Sequence, residues 1–185
     1  MLSKIQIRKK YLNLRKTKYF EVSDKFYKPI IKILNSFQKK KKLNISLYYP
    51  SNYEVNTLAL AKILNKKKRF KLLLPQISSK NSMKFYHWDF LGTLKVNKYG
   101  MLEPTTIKKP LIPDIMFIPL LAFDSNKNRL GYGKGFYDKF LNKYLKRNRN
   151  ILTIGIAFLF QKYNKLPTSK YDVKLDYILT ENGLK

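Results

Sequence analysis

The stretch from residue 115 to 145 constrains the fold more than any other part of the sequence. It begins with an uninterrupted apolar run, Ile115 to Leu121, whose length and composition predict a buried strand. A polar turn at residues 124–128 separates this run from glycines at three alternate positions, 131, 133 and 135. Apolar and aromatic residues then recur at helical spacing, at Tyr137, Leu141, Tyr144 and Leu145. The sequence therefore predicts a strand, a glycine-rich loop and a helix in succession.

The glycine-rich loop has the chemistry of an anion-binding site. Its glycines lack the Cβ atoms that would hold a bulky anion away from the backbone, and they can adopt positive φ. Their exposed N–H groups, together with the first turn of the following helix, would bind a phosphate. Arg129 and Lys134 add full positive charges. Asp138 would repel a bare phosphate, so its presence is best explained as a ligand of a hard cation such as Mg²⁺.

An alternative explanation for these glycines is a mobile surface loop with incidental charges, because short glycine motifs often match by chance. The strand before the loop, the helix after it and the two cations favour a phosphate site instead. The glycine spacing differs from that of the P-loop and from that of the dinucleotide fingerprint. The sequence thus indicates a nucleotide loop of another kind.

Two segments of this unit resemble the signature of the 5-formyltetrahydrofolate cyclo-ligases, also called methenyltetrahydrofolate synthetases. The segments are Pro-Leu-Leu-Ala-Phe-Asp at 119–124 and Asn-Arg-Leu-Gly-Tyr-Gly-Lys-Gly-Phe-Tyr-Asp at 128–138. They depart from the family pattern at Leu120 and Phe136, where many members have glycine and tyrosine. The resemblance implies ATP-dependent cyclisation of 5-formyltetrahydrofolate to 5,10-methenyltetrahydrofolate, with release of ADP and phosphate.

An N-terminal basic helix is predicted from Ser3 to about Lys18. Lys4 and Arg8 are four residues apart and would lie on one face of it, where they would either bind one polyphosphate together or face solvent. In the family, a Lys-x-x-x-Arg pair at this place contacts ATP. The candidate packing residues of the helix are Ile5, Tyr11, Leu12 and Leu14.

The ATP site implied by the resemblance combines this helix with the glycine-rich loop. Arg129 and Lys134 are its expected catalytic residues. The implied ATP-binding residues as a whole are Lys4, Arg8, Arg129, Leu130, Gly131, Tyr132, Gly133, Lys134, Gly135, Phe136 and Tyr137.

The residues expected to bind folate follow a predicted strand at Ile45–Tyr49. Glu54 falls between that strand and a helix predicted from about Val55 to Asn65, at the strand end where open α/β sheets place their ligands. The sequence alone also allows Glu54 simply to stabilise the helix N-terminus. In the resemblance, Tyr49 and Glu54 align with folate-contacting positions, with the acid accepting hydrogen bonds from the pterin. Trp88 is a third candidate, as one wall of an aromatic slot or as a core residue.

The metal site implied by the resemblance consists of Asp138 and Asp172, which together would hold Mg²⁺. They lie too far apart in the sequence for spacing alone to pair them. The family tail has a glutamine before Leu-Pro and then Asp-x-x-x-Asp, which Gln161, Asp172 and Asp176 fit. Glu103, in a Gly-x-x-Glu-Pro segment, has either a role near the substrate or a place in a surface turn.

Strands and helices alternate along the rest of the chain. A second amphipathic helix is predicted from about Ser23 to Phe37, with its first residue as N-cap. Further strands are predicted at Phe70–Leu74, Met83–Trp88 and Leu152–Phe158. This alternation indicates an α/β layered fold, one domain over residues 1–185, with a largely parallel central sheet flanked by helices. The resemblance implies a layout like that of the NagB/RpiA/CoA-transferase proteins.

The composition restricts the possible functions. The chain has no cysteine and one histidine, which excludes thiolate metal sites and leaves almost no material for a histidine cluster. The net charge of +28 is consistent with nucleic-acid binding. It also fits a coding bias, because Lys, Asn, Ile, Tyr and Phe are abundant together and the lysines are scattered, with short runs only at 39–42 and 66–68. We prefer the coding bias, which implies no specific nucleic acid and leaves room for non-specific polyanion binding.

The sequence also predicts the cellular location of the protein and its binding partner. No apolar run approaches the length of a membrane span, and the first ten residues contain no hydrophobic signal core. We therefore expect a cytoplasmic monomer without a membrane partner. Its expected partner is a small molecule, 5-formyltetrahydrofolate with or without a polyglutamate tail.

Two other classes of function remain open at this stage. The first is a non-catalytic RNA- or nucleotide-binding protein, whose binding would depend steeply on salt and not on Arg129 or Lys134 in particular. The second is another phosphate-handling enzyme on a similar scaffold, such as a sugar-phosphate isomerase. Such an enzyme would need neither ATP nor a paired-aspartate metal site.

Overall fold

The computed structural model describes residues 2–37, 42–78, 82–105, 108–145 and 150–185, so most of the basic run at 39–42 lies outside the described residues. The helices are α1 (Lys4–Lys18), α2 (Lys28–Ser36), α3 (Leu58–Asn65) and α4 (Phe136–Leu145). The strands are β1 (Leu43–Ser46), β2 (Phe70–Ile77), β3 (Met83–His87), β4 (Leu94–Val96), β5 (Leu102–Pro104), β6 (Ile115–Pro119), β7 (Ala122–Phe123), β8 (Arg129–Leu130), β9 (Leu152–Ile156), β10 (Tyr177–Thr180) and β11 (Gly183–Leu184).

One large sheet organises the molecule, with the strand order β11-β10-β9-β6-β1-β2-β3. The five inner strands run parallel, and the edge strands β3 and β11 are antiparallel to their neighbours. This confirms the predicted α/β fold with a largely parallel sheet. The two remaining pairs, β4–β5 and β7–β8, are small antiparallel hairpins outside the sheet.

The middle strand, β6, is apolar throughout because both of its faces are covered. Ile115 and Phe117 belong to the core cluster that includes residues of α2 and α3. Met116 and Ile118 belong to a second cluster that includes residues of α4. All four side chains are fully buried. Helices therefore pack on both faces of the sheet, as parallel sheets require.

The helix α1 packs on the hairpin β7–β8. Ile7 and Tyr11 form a third apolar cluster with Leu121, Ala122 and Leu130. The Ser3 side chain caps the helix in a capping box, which confirms the predicted start. Within the described ranges, no helix has both the length and the apolar character needed to cross a membrane.

Two helices begin later than the sequence predicts. A 3₁₀ turn occupies Asp24–Tyr27, and α2 follows it with proline in its first turn. Ser23 precedes that turn, but its side chain makes no capping hydrogen bond. The helix α3 begins at Leu58, after a largely irregular segment at 51–57 in which the Thr57 hydroxyl donates a hydrogen bond to the Tyr48 carbonyl.

The departure at Leu120 is absorbed by a glycine on the neighbouring strand. Leu120 is almost fully buried after β6. A Cβ atom on Gly155 would lie only 2.7 Å from Leu120 Cδ2. The leucine fits because residue 155 has no side chain, so the change from the family pattern costs no packing here.

Candidate active site

A cavity of about 410 Å³ lies beyond the carboxyl ends of β1 and β6, the edge at which parallel sheets place ligands. Its walls come from α1, the segment after β1, the β4–β5 hairpin and the glycine-rich loop. Most of the site residues expected from the sequence line it together. They are Lys4, Arg8, Tyr49, Glu54, Arg129, Leu130, Gly131, Tyr132, Gly133, Lys134, Gly135, Phe136, Tyr137, Asp138 and Asp172.

The glycine-rich loop runs from β8 to α4 and is held against α1 by Arg8. The Nε of Arg8 donates a hydrogen bond to the carbonyl of Gly131 at 2.9 Å. Gly133 has φ +97°, and a Cβ there would lie 3.1 Å from Arg8 Cζ. Both the backbone conformation and the close packing of Arg8 therefore require glycine at this position.

The end of the loop leads directly into the N-terminus of α4. Gly135 has φ +66°, and its carbonyl accepts the first hydrogen bond of the helix, from Lys139 N at 2.9 Å. Phe136 begins the helix and packs its ring on Tyr99, with 5.6 Å between ring centroids. Lys134 is exposed, and its Nζ lies 5.8 Å from the centroid of the same Tyr99 ring. The N-terminus of α4 and the exposed ammonium of Lys134 thus both lie at the cavity.

Arg129 and Asp138 form a largely buried ion pair at the base of the loop. Arg129 Nη2 lies 2.9 Å from Asp138 Oδ1, which also accepts a hydrogen bond from Val173 N. The alignment of the ion pair is poor for a hydrogen bond, so Nε and Nη2 of Arg129 are buried without a hydrogen-bond partner among the described residues. Arg129 also lines the cavity, and the planar positive charge of its guanidinium is suited to bind an anion.

Lys4 and Asp172 form a second ion pair at the cavity wall, half-buried, with 2.6 Å between Nζ and Oδ2. The same oxygen accepts a hydrogen bond from Ser169 N at 2.7 Å. Burial alone would raise the pKa of Asp172, but the hydrogen bond from Lys4 and those from Ser169 outweigh it and hold the pKa below its usual value. Asp172 is therefore ionised at neutral pH.

Glu54 is a buried carboxylate that faces the cavity. It accepts hydrogen bonds from Tyr132 Oη at 2.6 Å and from Ser51 N at 3.0 Å. Burial raises the pKa of Glu54, while the nearby Arg15 guanidinium and these hydrogen bonds oppose that rise. The acid is thus held by fixed donors in the wall of the site.

The turn that presents Glu54 is strained. Asn52 and Tyr53 both have positive φ, +48° and +60°, directly before the acid. Asparagine tolerates this conformation, but it is unusual for a bulky tyrosine. Strain of this kind persists where the surrounding structure fixes it, and it is common at functional sites.

Sequence reasoning missed Arg15, which is 1% exposed and lies behind the cavity wall against Tyr132 and Glu54. The expected packing residues Ile5 and Leu12 are exposed instead, so those two expectations were wrong. The missed signal is a stripe at helical spacing along one face of α1. Its members are Lys4, Arg8, Tyr11 and Arg15.

Trp88 is absent from the residues that line the cavity. It is 5% exposed and packs in the core, with its ring centroid 6.5 Å from that of Tyr49 and 5.4 Å from that of Phe90. Its contact with the site therefore runs through Tyr49, which does line the cavity.

Glu103 lines the cavity from the β4–β5 hairpin and is almost fully buried. Its Oε1 accepts hydrogen bonds from Ile77 N at 2.7 Å and from Asn97 Nδ2 at 2.6 Å. These contacts tie the hairpin to β2. Glu103 is thus part of the wall and not of a surface turn.

Gln161 and Asp176, which fit the family tail, make structural contacts outside the cavity lining. Gln161 donates to the carbonyls of Leu120 and Leu121, which fixes the chain after β6. Asp176 accepts hydrogen bonds from the backbone and side chain of Thr153.

The described residues contain no cluster of three or more acidic, histidine or cysteine side chains that could hold a metal. Asp138 and Asp172 nevertheless line the same cavity, each beside a cation. In these ion pairs Oδ1 of Asp138 lies 2.9 Å from Arg129 Nη2, and Oδ2 of Asp172 lies 2.6 Å from Lys4 Nζ.

Comparison with known proteins agrees with this geometry. Residues 1–181 match the model of the 5-formyltetrahydrofolate cyclo-ligase family. The chain is 35% identical over 153 residues to the 5-formyltetrahydrofolate cyclo-ligase of Haemophilus influenzae, an alignment that covers 79% of this chain and 80% of that protein.

Solved structures share its fold, among them two 5,10-methenyltetrahydrofolate synthetases. One is the NMR structure of the 5,10-methenyltetrahydrofolate synthetase of Aquifex aeolicus, with TM-score 0.72, 27% identity and coverage of 100% of this chain and 92% of that one. The other is a 5,10-methenyltetrahydrofolate synthetase of Mycoplasma pneumoniae, with TM-score 0.68, 25% identity and coverage of 96% and 98%. The chain described here therefore belongs to the 5-formyltetrahydrofolate cyclo-ligase family.

Proposed function

We propose that this chain catalyses the ATP-dependent cyclisation of 5-formyltetrahydrofolate to 5,10-methenyltetrahydrofolate, with release of ADP and phosphate. The observation that carries the proposal is that a glycine-rich, cation-lined loop and a buried carboxylate line the same cavity. The loop offers a phosphate site, and the carboxylate offers a hydrogen-bond acceptor for the N–H groups of a pterin. Both substrates of the reaction thus have a matching surface in one place.

In this reaction the main task of the protein is to align the two substrates. The formyl oxygen of the substrate is a poor leaving group until the γ-phosphoryl group of ATP is transferred to it. N10 then attacks the activated formyl carbon and loses its proton to solvent, the ring closes, and the former formyl oxygen leaves as part of the phosphate. As in other phosphoryl transfers, the protein holds the reacting atoms in line and neutralises the charge on the phosphoryl oxygens.

The cations of the site are suited to the phosphate role. Arg129, which lines the cavity, and the exposed ammonium of Lys134 would contact the transferring phosphoryl group. Lys4 and Arg8, on adjacent turns of α1, would contact the remaining phosphates together with the loop amides. Arg8 already donates a hydrogen bond to the carbonyl of Gly131, so it is held at the loop where ATP would bind.

The folate would bind at the opposite wall. Glu54 would accept hydrogen bonds from the pterin, and Tyr49 would pack against its ring. Trp88 supports Tyr49 from the core, so its proposed role is to orient that ring and not to contact the folate.

Asp138 and Asp172 fit a Mg²⁺ ion that is shared with ATP. Mg²⁺ commonly takes one or two protein carboxylates and completes its shell with phosphate oxygens and water, so a third acid is not needed. When bound, the ion would neutralise charge on the phosphates.

We further propose that the enzyme works as a cytoplasmic monomer and accepts polyglutamylated folates. The net charge of +28 supports the last point, because a strongly positive surface attracts a polyanionic tail. The same charge would give weak, salt-sensitive binding to other polyanions.

The test is the absorbance of methenyltetrahydrofolate after the protein is mixed with 5-formyltetrahydrofolate and Mg-ATP. Growth of the band only with ATP, matched by released phosphate, is the expected result. A folded protein that produces no band would overturn the proposal. In that case a salt titration of RNA binding would test whether the chain is a nucleic-acid-binding protein. Isomerase assays with sugar phosphates would test whether it is another phosphate-handling enzyme.

A further inference from the structure

We propose that Arg15 is a positioning residue that holds Glu54 and Tyr132 together and so sets the folate-binding wall of the site. This inference rests on the proposed function, because it concerns the binding of the folate substrate. Arg15 itself is not part of the cavity lining. It would act only through the two residues that it contacts.

The geometry places the Arg15 guanidinium behind both side chains. Its Nη2 donates to Tyr132 Oη at 2.6 Å, and its Nη1 lies 3.8 Å from Glu54 Oε1. Arg15 and Glu54 are both buried, so this is an ion pair shielded from solvent. In such a pair, removing one partner is costly because it leaves the other charge buried and uncompensated.

The charge on Glu54 depends on Arg15 in particular. The titratable groups that face the carboxylate are Arg15 from α1, Tyr48 after β1, Tyr132 from the loop and Tyr137 from α4. Burial and the negative charge of Glu54 hold the pKa of each of these tyrosines above its usual value, so the phenols stay neutral. Among these groups, Arg15 alone brings a positive charge.

Arg15 also links the folate wall to the phosphate loop. Tyr132 lies between Gly131, which accepts from Arg8, and Gly133, which packs against Arg8. The helix α1 therefore holds the loop at two points, Arg8 and Arg15, about two turns apart. A shift of Arg15 would move the tyrosine that donates to Glu54.

The experiment compares Arg15→Met, which keeps an unbranched apolar stem but removes the guanidinium with its charge and donors, with Arg15→Lys, which keeps the charge. Lys16→Met is the matched control, because Lys16 is an exposed cation at the next position of the same helix. For each variant, KM for 5-formyltetrahydrofolate, KM for ATP and the pH profile of kcat/KM are measured, with enzyme-free blanks at every pH.

We expect Arg15→Met to raise the folate KM by about tenfold or more, since a hydrogen-bonded charge is lost beside a buried acid. The ATP KM should change far less. The acidic limb of the kcat/KM profile should move upward by about 1 to 3 pH units, because Glu54 loses the opposite charge that favours its ionised form. Arg15→Lys should leave that limb near its wild-type position, and Lys16→Met should change nothing.

Each other outcome has a defined meaning. If Arg15→Met lowers only the melting temperature and leaves the folate KM and the acidic limb unchanged, Arg15 is merely structural and the inference fails while the proposed function stands. If wild-type protein makes no product in the same assay, the proposed function fails and the inference with it. Should Arg15→Met not fold, the double variant with Glu54→Gln decides. Restored folding supports the pairing, and continued misfolding overturns it.

Discussion

The hydroxyl of Tyr132 donates a hydrogen bond to Oε1 of Glu54, with 2.6 Å between the two oxygens. Tyr132 belongs to the glycine-rich loop and Glu54 to the turn after β1, so the bond joins the two proposed substrate regions. Burial raises the pKa of Tyr132 well above its ordinary value, and the charge of Glu54 raises it further. The phenol therefore remains protonated and donates at any pH at which the enzyme would work.

Replacing Tyr132 with phenylalanine should weaken folate binding. The change removes a donor to a buried carboxylate, and hydrogen bonds to charged groups contribute about 1.5–3 kcal/mol, so the folate KM should rise by about tenfold or more. Steady-state kinetics with the methenyl absorbance measures this. Tyr177→Phe, which alters a partly exposed phenol outside the cavity lining, is the control. Equal folate KM values in the two variants would show that the Tyr132 bond has no role in binding.

Lys134→Ala should reduce turnover and leave the fold intact. Lys134 is exposed and packs only loosely over Tyr99, so the free energy of unfolding should change by less than about 0.5 kcal/mol. The loss of a charge aimed at the phosphoryl group should lower kcat by about 100-fold or more. Lys139→Ala, in the first turn of α4, tests for a general effect of removing a lysine. Unchanged turnover in Lys134→Ala would mean that the phosphate assignment is wrong.

Gly133→Ala and Gly183→Ala form a matched pair, because their φ angles are +97° and +94°. An alanine at either position is strained by about 1–2 kcal/mol, so urea unfolding should show a similar loss of stability. Only the methyl at 133 would meet another side chain, Arg8 Cζ at 3.1 Å. We therefore expect Gly133→Ala alone to raise the KM for ATP, by about tenfold. If both variants have the same KM for ATP, the conformation of the loop at Gly133 has no role in nucleotide binding.

The order of elements could be predicted from the sequence wherever a buried element requires a recognisable pattern of apolar residues. Ile115–Leu121 was predicted as a buried strand because the apolar run reflects helices on both faces of β6. The hairpin β7–β8 was not predicted between this strand and the glycine-rich loop. Its two strands have two residues each, too few to carry any periodicity.

The site was predictable wherever a short motif carries its own chemistry, as in the loop from Arg129 to Asp138. Arg15 was not, because a lysine- and arginine-rich helix predicts solvated charges unless a distant partner is known. That partner, Glu54, is brought to α1 only by the tertiary fold. The position of Trp88 likewise depends on how Tyr49 and Phe90 pack around it, which local sequence does not encode.

Asp172→Asn should raise the Mg²⁺ concentration needed for half-maximal activity by about tenfold or more, because one proposed ligand loses its charge. Asp172 is the better position to substitute, because removing the charge of Asp138 would leave the buried guanidinium of Arg129 without its ion-pair partner. Lys4→Met is the control, since it breaks the same ion pair but keeps the carboxylate. A Mg²⁺ requirement that shifts equally in both variants, or in neither, would remove Asp172 from the metal site.

The ion pair between Lys4 and Asp172 should make stability depend on pH in a defined direction. The pKa of Asp172 is lowered in the fold, because the contacts from Lys4 and Ser169 outweigh the opposing effect of burial. An acid with a lowered pKa stabilises the fold above its unfolded pKa of about 3.9, and that contribution disappears as the pH falls through the folded value. The pair is partly exposed, so after allowance for solvent screening Lys4→Met should be less stable than wild type by at most about 1 kcal/mol at neutral pH. Urea unfolding of both proteins, followed from neutral pH into the acid range, should show this difference shrinking toward zero.

Contributions from other groups, including the raised pKa of Glu54, are common to both proteins and cancel in the comparison. A difference that stays constant with pH would show that Lys4 stabilises the fold by packing and not through the charge of Asp172.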